Sequence, residues 1–158
     1  MSLFNLLQGC LVLHLTGLIL MAGTTFVDYI TFKTFWKQFG LDREKSLGLL
    51  EATAKFSRLI GIGAALLILT GFGMMAITRG VFGEQLWFRI KFALVIILVL
   101  NGLLVGRRLG VRLRKTVAEG GVNATLQTER FRTRLNWFHL VQLMLFLAII
   151  FLSVFKFN

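Results

Sequence analysis

The stretch LWFRIKFALVIILVLNGLLVG, residues 86–106, decides how this chain folds. From Phe92 to Gly106 it carries no charge. That uncharged run is roughly 15 residues, whereas a helix needs ~20 to cross ~30 Å of hydrocarbon at ~1.5 Å per residue. A crossing at this point has to take in Lys91. An ammonium group at that depth either snorkels to the headgroups or is used by the protein.

The rest of the chain agrees with this reading. It has 158 residues, 56% of them hydrophobic, with a mean hydropathy of +0.78. A soluble domain of this length has too little interior to hide so much apolar surface. Apolar stretches of near-bilayer length fall at residues 3–27, 59–78, 86–106 and 135–155. The expectation is an all-α protein: residues 1–158 as a single transmembrane domain, an integral membrane four-helix bundle. There is no proline to force a kink in any span.

The net charge of +11 has two readings, nucleic acid or membrane surface. Its distribution selects the second and gives no nucleic-acid partner. Lys33, Lys37, Arg43, Lys45, Lys55 and Arg58 follow the first span. Arg107, Arg108, Arg112, Arg114, Lys115, Arg130, Arg132 and Arg134 lie between the third and the fourth. The opposite side holds only Arg79, Arg89, Lys91 and Lys156. By the positive-inside rule both basic loops face the cytoplasm, and the N- and C-termini lie on the outer, periplasmic side. The excess charge then meets anionic headgroups of the lipid bilayer. Such a bundle suits a bacterial inner (plasma) membrane.

The single cysteine, Cys10, excludes an intrachain disulfide or a CxxC site. The segment before it lacks the basic residue and apolar core of a cleaved leader, so the first span is expected to be retained. The first helix should run on to about Gly40, a C-terminal stop. Asp42 is the expected N-cap of the second, with Glu44 and Lys45 in its first turn. Residues 79–83 read as a short outer turn, and the third helix should overrun the membrane through Lys115. Gly120-Gly121 should break it, and Asn123 should cap the fourth.

Helical spacing picks out the inward faces. Cys10, His14, Gly17, Met21, Thr24 and Asp28 form one small and polar stripe on the first span. His139, Gln142, Phe146 and Ser153 form another on the fourth. Gly102, Gly106 and Gly110 have the GxxxGxxxG spacing that allows close helix packing. Lys91 falls on nearly the same angular position as Gly102, so it should face protein while Arg89 turns outward. Two clusters follow at different depths. His14 and Lys91 lie in the outer half; Asp28, Arg58 and His139 lie near the cytoplasmic edge. The histidines should be ~10 Å or more apart, too far to clamp one haem iron from both faces.

His14 is the candidate metal ligand, since a neutral imidazole binds iron or copper. Lys91 could pair with a haem propionate or another anionic group. The plainer alternative is a helix-bridging hydrogen bond at His14 and a snorkelling Lys91. Asp28, Arg58 and His139 could form a charge-neutralising network or a proton relay. Met21, Met74, Met75 and Met144 are scattered and form no soft-metal array.

Two local patterns carry a resemblance. One is His14-x8-Gly23-x2-Phe26; the other is Leu69-Thr70-Gly71 followed by Trp87-x3-Lys91. Over roughly residues 10–110 the chain resembles a divergent member of the superfamily of HemJ-type protoporphyrinogen oxidases and CopD-type copper-resistance membrane proteins. The resemblance implies haem b held by His14 and a functional, catalytic role for Lys91. It departs where the HemJ-type first span carries a tryptophan before its glycine and a Tyr-Leu-Pro-Arg run after it. Here residues 21–28 read MAGTTFVD. The expectation is therefore a haem b-binding inner-membrane protein, with electrons passing to a quinone or a membrane partner protein if there is turnover. The competing classes are a non-catalytic membrane subunit or scaffold, docking a partner or a second copy through its glycine face, and a small proton-coupled transporter using Asp28 and His139.

Overall fold

The computed structural model describes residues 3–39, 41–81, 83–119 and 124–155. They are almost wholly helical, with no strand among them. Helix α1 spans Leu3–Gln38 and α2 spans Arg43–Ile77. Helix α3, Leu86–Leu100, passes through a π-helical segment, Asn101–Gly106, into α4, Arg107–Glu119. Helix α5 spans Ala124–Val154. Taken as continuous rods, these make four helices long and apolar enough to cross a bilayer. Gly40, Gly120, Gly121 and Asn123, expected to break or cap helices, lie outside the described residues.

Local chemistry sets the described ends. Asp42 is extended, with φ −143° and ψ 106°, and its carboxylate accepts from the Lys45 N–H at 3.1 Å. Helix α2 stops in a Schellman turn. The Gly80 N–H donates to the Met75 carbonyl at 3.0 Å and the Arg79 N–H to that of Ala76 at 3.2 Å. Arg79 takes the left-handed position usually given to glycine, with φ 51°.

The helices α1 and α2 form the closest pair. At their crossing a Cβ on Gly63 would lie 2.8 Å from the Met21 nitrogen and 2.9 Å from the Gly17 carbonyl oxygen. Only glycine allows two backbones this near, and dispersion contacts between them replace the hydrophobic drive that lipid would not supply. Helix α3, the π segment and α4 lie chiefly against α5, which also meets α1.

Two apolar cores lie at different levels. Met21, Leu67, Leu98, Phe146 and Ile149 form the first. Phe32, Phe35, Leu50, Leu109, Leu113, Val117 and Leu135 form the second, at the basic end. Outside these cores the surface stays apolar: Ile19 is 73% exposed and Leu69 70%. A contiguous greasy exterior of this kind fits a lipid environment rather than water.

The π segment lies against α5. The Arg107 N–H donates to the Gly102 carbonyl, five residues back. Beside this widened turn the Gln142 amide donates to the Leu98 carbonyl at 3.2 Å, and Asn101 donates to the Gln142 side-chain oxygen at 2.9 Å. A Cβ on Gly106 would fall 2.5 Å from the Phe138 ring, so the bare glycine lets that ring lie against the helix.

Candidate functional site

His14 projects from the middle of α1 toward α2. Its Nδ1 lies 2.9 Å from the Thr70 hydroxyl oxygen. The Thr70 hydroxyl spends its only proton on the Leu66 carbonyl, one helical turn back. Thr70 therefore accepts, and His14 donates from Nδ1. The Leu67 carbonyl also lies beside the ring. A neutral imidazole protonated at Nδ1 keeps the lone pair of Nε2, the state a metal-binding histidine needs. Gly71 backs the ring: a Cβ there would sit 3.7 Å from His14 Cε1. One turn further out, Cys10 packs beside Gly73 in the same way.

Lys91 opens α3 and is half-buried. Its ammonium is near enough for its charge to act on the His14 imidazole. Arg89 is exposed and donates to the Gly83 carbonyl at 3.0 Å. Trp87 is buried and donates from its indole to Gln85 at 2.6 Å. Thus His14, Thr70 and Gly71 converge at one contact, with Lys91 within electrostatic reach. Sequence reasoning named Thr70 only within a pattern. Its position at the facing α2 turn was not readable without the register that Gly17 and Gly63 set.

The second histidine lies elsewhere. Asp28 is fourteen positions after His14 on the same helix, about 21 Å at ~1.5 Å per residue. There the Asp28 carboxylate meets His139 Nε2 at 3.1 Å, while His139 Nδ1 meets the Leu135 carbonyl at 2.7 Å. His139 is only 3% exposed. Phe32 stacks on its ring at 5.3 Å, and Tyr29 and Phe138 close around it. Both ring nitrogens face acceptors. The other carboxylate oxygen, Oδ1, is buried without a hydrogen bond among the described residues. Arg58 is exposed and takes no part in this contact. Of the two expected partners Asp28 meets only His139, because α5, not the arginine's face of α2, lies opposite it.

The glycine ladder divides. Gly102 faces the Gln142 side chain and Gly106 the Phe138 ring, so both are used within the chain. A Cβ on Gly110 would meet nothing within 4 Å, so that position faces open space.

No protein-family model matches this chain, and neither the curated proteins nor the solved structures yield a match. Among the described residues no three His, Cys, Asp or Glu side chains gather as a metal-ion cage.

Proposed function

We propose that this chain is a multi-pass inner-membrane protein that binds haem b through His14, as a divergent relative of the HemJ-type and CopD-type proteins. The supporting observation is the His14–Thr70 hydrogen bond, 2.9 Å long, which leaves Nε2 as the ligating atom. Thr70 orients the ring, Gly71 packs against it, and Lys91 supplies a cation for a propionate or an anionic substrate. Haem bound here would supply one-electron chemistry, with a membrane quinone or partner protein as acceptor. The basic ends of the helices face the cytoplasm in this reading, and both termini face the periplasm.

The test is a visible spectrum of the chain purified in mild detergent. A Soret band is expected, lost in His14→Ala and retained in His139→Ala. A colourless protein from haem-replete cells, or a band that survives His14→Ala, would reject the reading.

A second reading rests on the Asp28–His139 contact. A buried histidine–carboxylate pair, with a spare carboxylate oxygen beside it, suits proton exchange at the cytoplasmic edge. It predicts pH-driven flux in vesicles that Asp28→Asn abolishes.

A further inference from the structure

A groove of about 520 Å³ runs between α5 and the face of the long helix that passes from α3 through the π segment into α4. Its two ends differ in chemistry. Toward the membrane its walls are Leu104, Val105 and Val141, which stay 49%, 39% and 44% exposed. Toward the basic end it is lined by Arg108, Arg112 and Arg134. All three arginines are exposed, and none has an ion-pair partner among the described residues. The two helices run antiparallel, so position along each sets the same gradient. Residues 101–105 lie opposite 137–141, and residues 108–112 lie toward 134. Trp137, 64% exposed, stands at the boundary, where indoles favour the headgroup level.

An apolar slot ending in three guanidinium groups is complementary to an amphiphile with an anionic head. Guanidinium groups bind phosphate oxygens in bidentate fashion, and the slot's volume is that of an ordinary ligand site. We propose that this groove seats one anionic phospholipid, its phosphate among Arg108, Arg112 and Arg134 and an acyl chain along Leu104, Val105 and Val141. The inference rests on the membrane reading above and is independent of haem.

Native mass spectrometry of the full chain in neutral detergent tests it, using dioleoyl phosphatidylglycerol against dioleoyl phosphatidylcholine. The acyl chains are identical, so only the headgroup differs. One phosphatidylglycerol should stay bound under conditions that strip phosphatidylcholine. The triple variant Arg108→Gln, Arg112→Gln, Arg134→Gln should bind it at least ~10-fold more weakly, since it removes all three guanidinium groups that line the head end. A control with equal charge loss elsewhere, Lys45→Gln, Lys55→Gln, Arg58→Gln, should keep it. Leu104→Trp retains every charge and fills the slot; it too should lose the lipid, with circular dichroism confirming its helices. Equal retention of both lipids would overturn the proposal, as would equal loss in the control. Competition by glycerol phosphate as strong as by the lipid would make this a soluble-phosphate site and also overturn it. Carbonate extraction of cell membranes separates the two failures. A chain released by carbonate loses the membrane reading, whereas one that stays but holds no lipid loses only the groove.

Discussion

Gly17 and Gly63 sit back to back where α1 crosses α2, and a Cβ on Gly63 would lie 2.9 Å from the Gly17 carbonyl oxygen. This approach sets the register of the candidate site. His14 is three residues before Gly17, and Thr70 is seven after Gly63, so the two side chains meet one level further out. Gly63→Ala pushes a methyl group against backbone that no side-chain rotation can relieve. It should cost about 1–3 kcal/mol. Gly61→Ala, with open space around it, should be neutral or slightly stabilising. Thermal unfolding of both variants in the same detergent compares them directly.

Thr70→Val keeps the shape of the side chain and removes the acceptor for His14 Nδ1. Under the haem reading, losing such an orienting partner should weaken binding by roughly 10- to 100-fold. Haem titration followed at the Soret maximum measures this. Thr70→Ser, which restores the hydroxyl, should recover most of the affinity.

His139→Leu should be among the most damaging single changes, costing about 3 kcal/mol, because it strands a largely buried carboxylate. Adding Asp28→Leu should recover at least ~1 kcal/mol of that loss, since the stranded group then disappears. A double-mutant cycle by denaturant unfolding gives the coupling. Additive losses would show that the contact carries little energy.

Arg79 holds a left-handed backbone conformation at the end of α2. Arg79→Gly should stabilise the turn by about 1 kcal/mol, read as a higher Tm.

The Asp42 carboxyl is held below its ordinary range, first by the Lys45 backbone N–H and then by the Lys45 ammonium, 3.1 Å away. A lowered folded-state value means that this cap is in full strength above the usual carboxylate range and fades as pH falls through the folded value. Protection of the Lys45 amide, taken relative to its intrinsic exchange rate at each pH, should therefore fall at acid pH. Asp42→Asn, which still caps but does not titrate there, should flatten that dependence.

Much of the scaffold was readable beforehand because its causes are local. Asp42 caps α2 as its type and place suggested, and the third hydrophobic run continues as helix beyond its uncharged stretch into Arg107–Glu119. Much of the stripe on α1 also turns inward, with Gly17 and Met21 buried and His14 and Asp28 each bonded to another helix, although Thr25 and not Thr24 is the buried threonine. What escaped the sequence depends on which helix stands opposite. Arg58 and His139 both looked like partners for Asp28, and only α5 brings one close. The π segment was not legible locally, and the side chains beside it, Phe138 and Gln142, lie more than thirty positions away. For the same reason the even spacing of Gly102, Gly106 and Gly110 concealed two different fates.

A π turn amounts to one extra residue in an α-helix, and each residue advances the face by about 100°. Winding Asn101–Gly106 as ordinary α-helix, with no residue removed, would swing everything downstream around by about that angle. Leu109, Leu113 and Val117 would leave the inner core, and a different set of arginines would turn toward α5. One inserted position thus lets the apolar half and the basic half of this rod be phased separately.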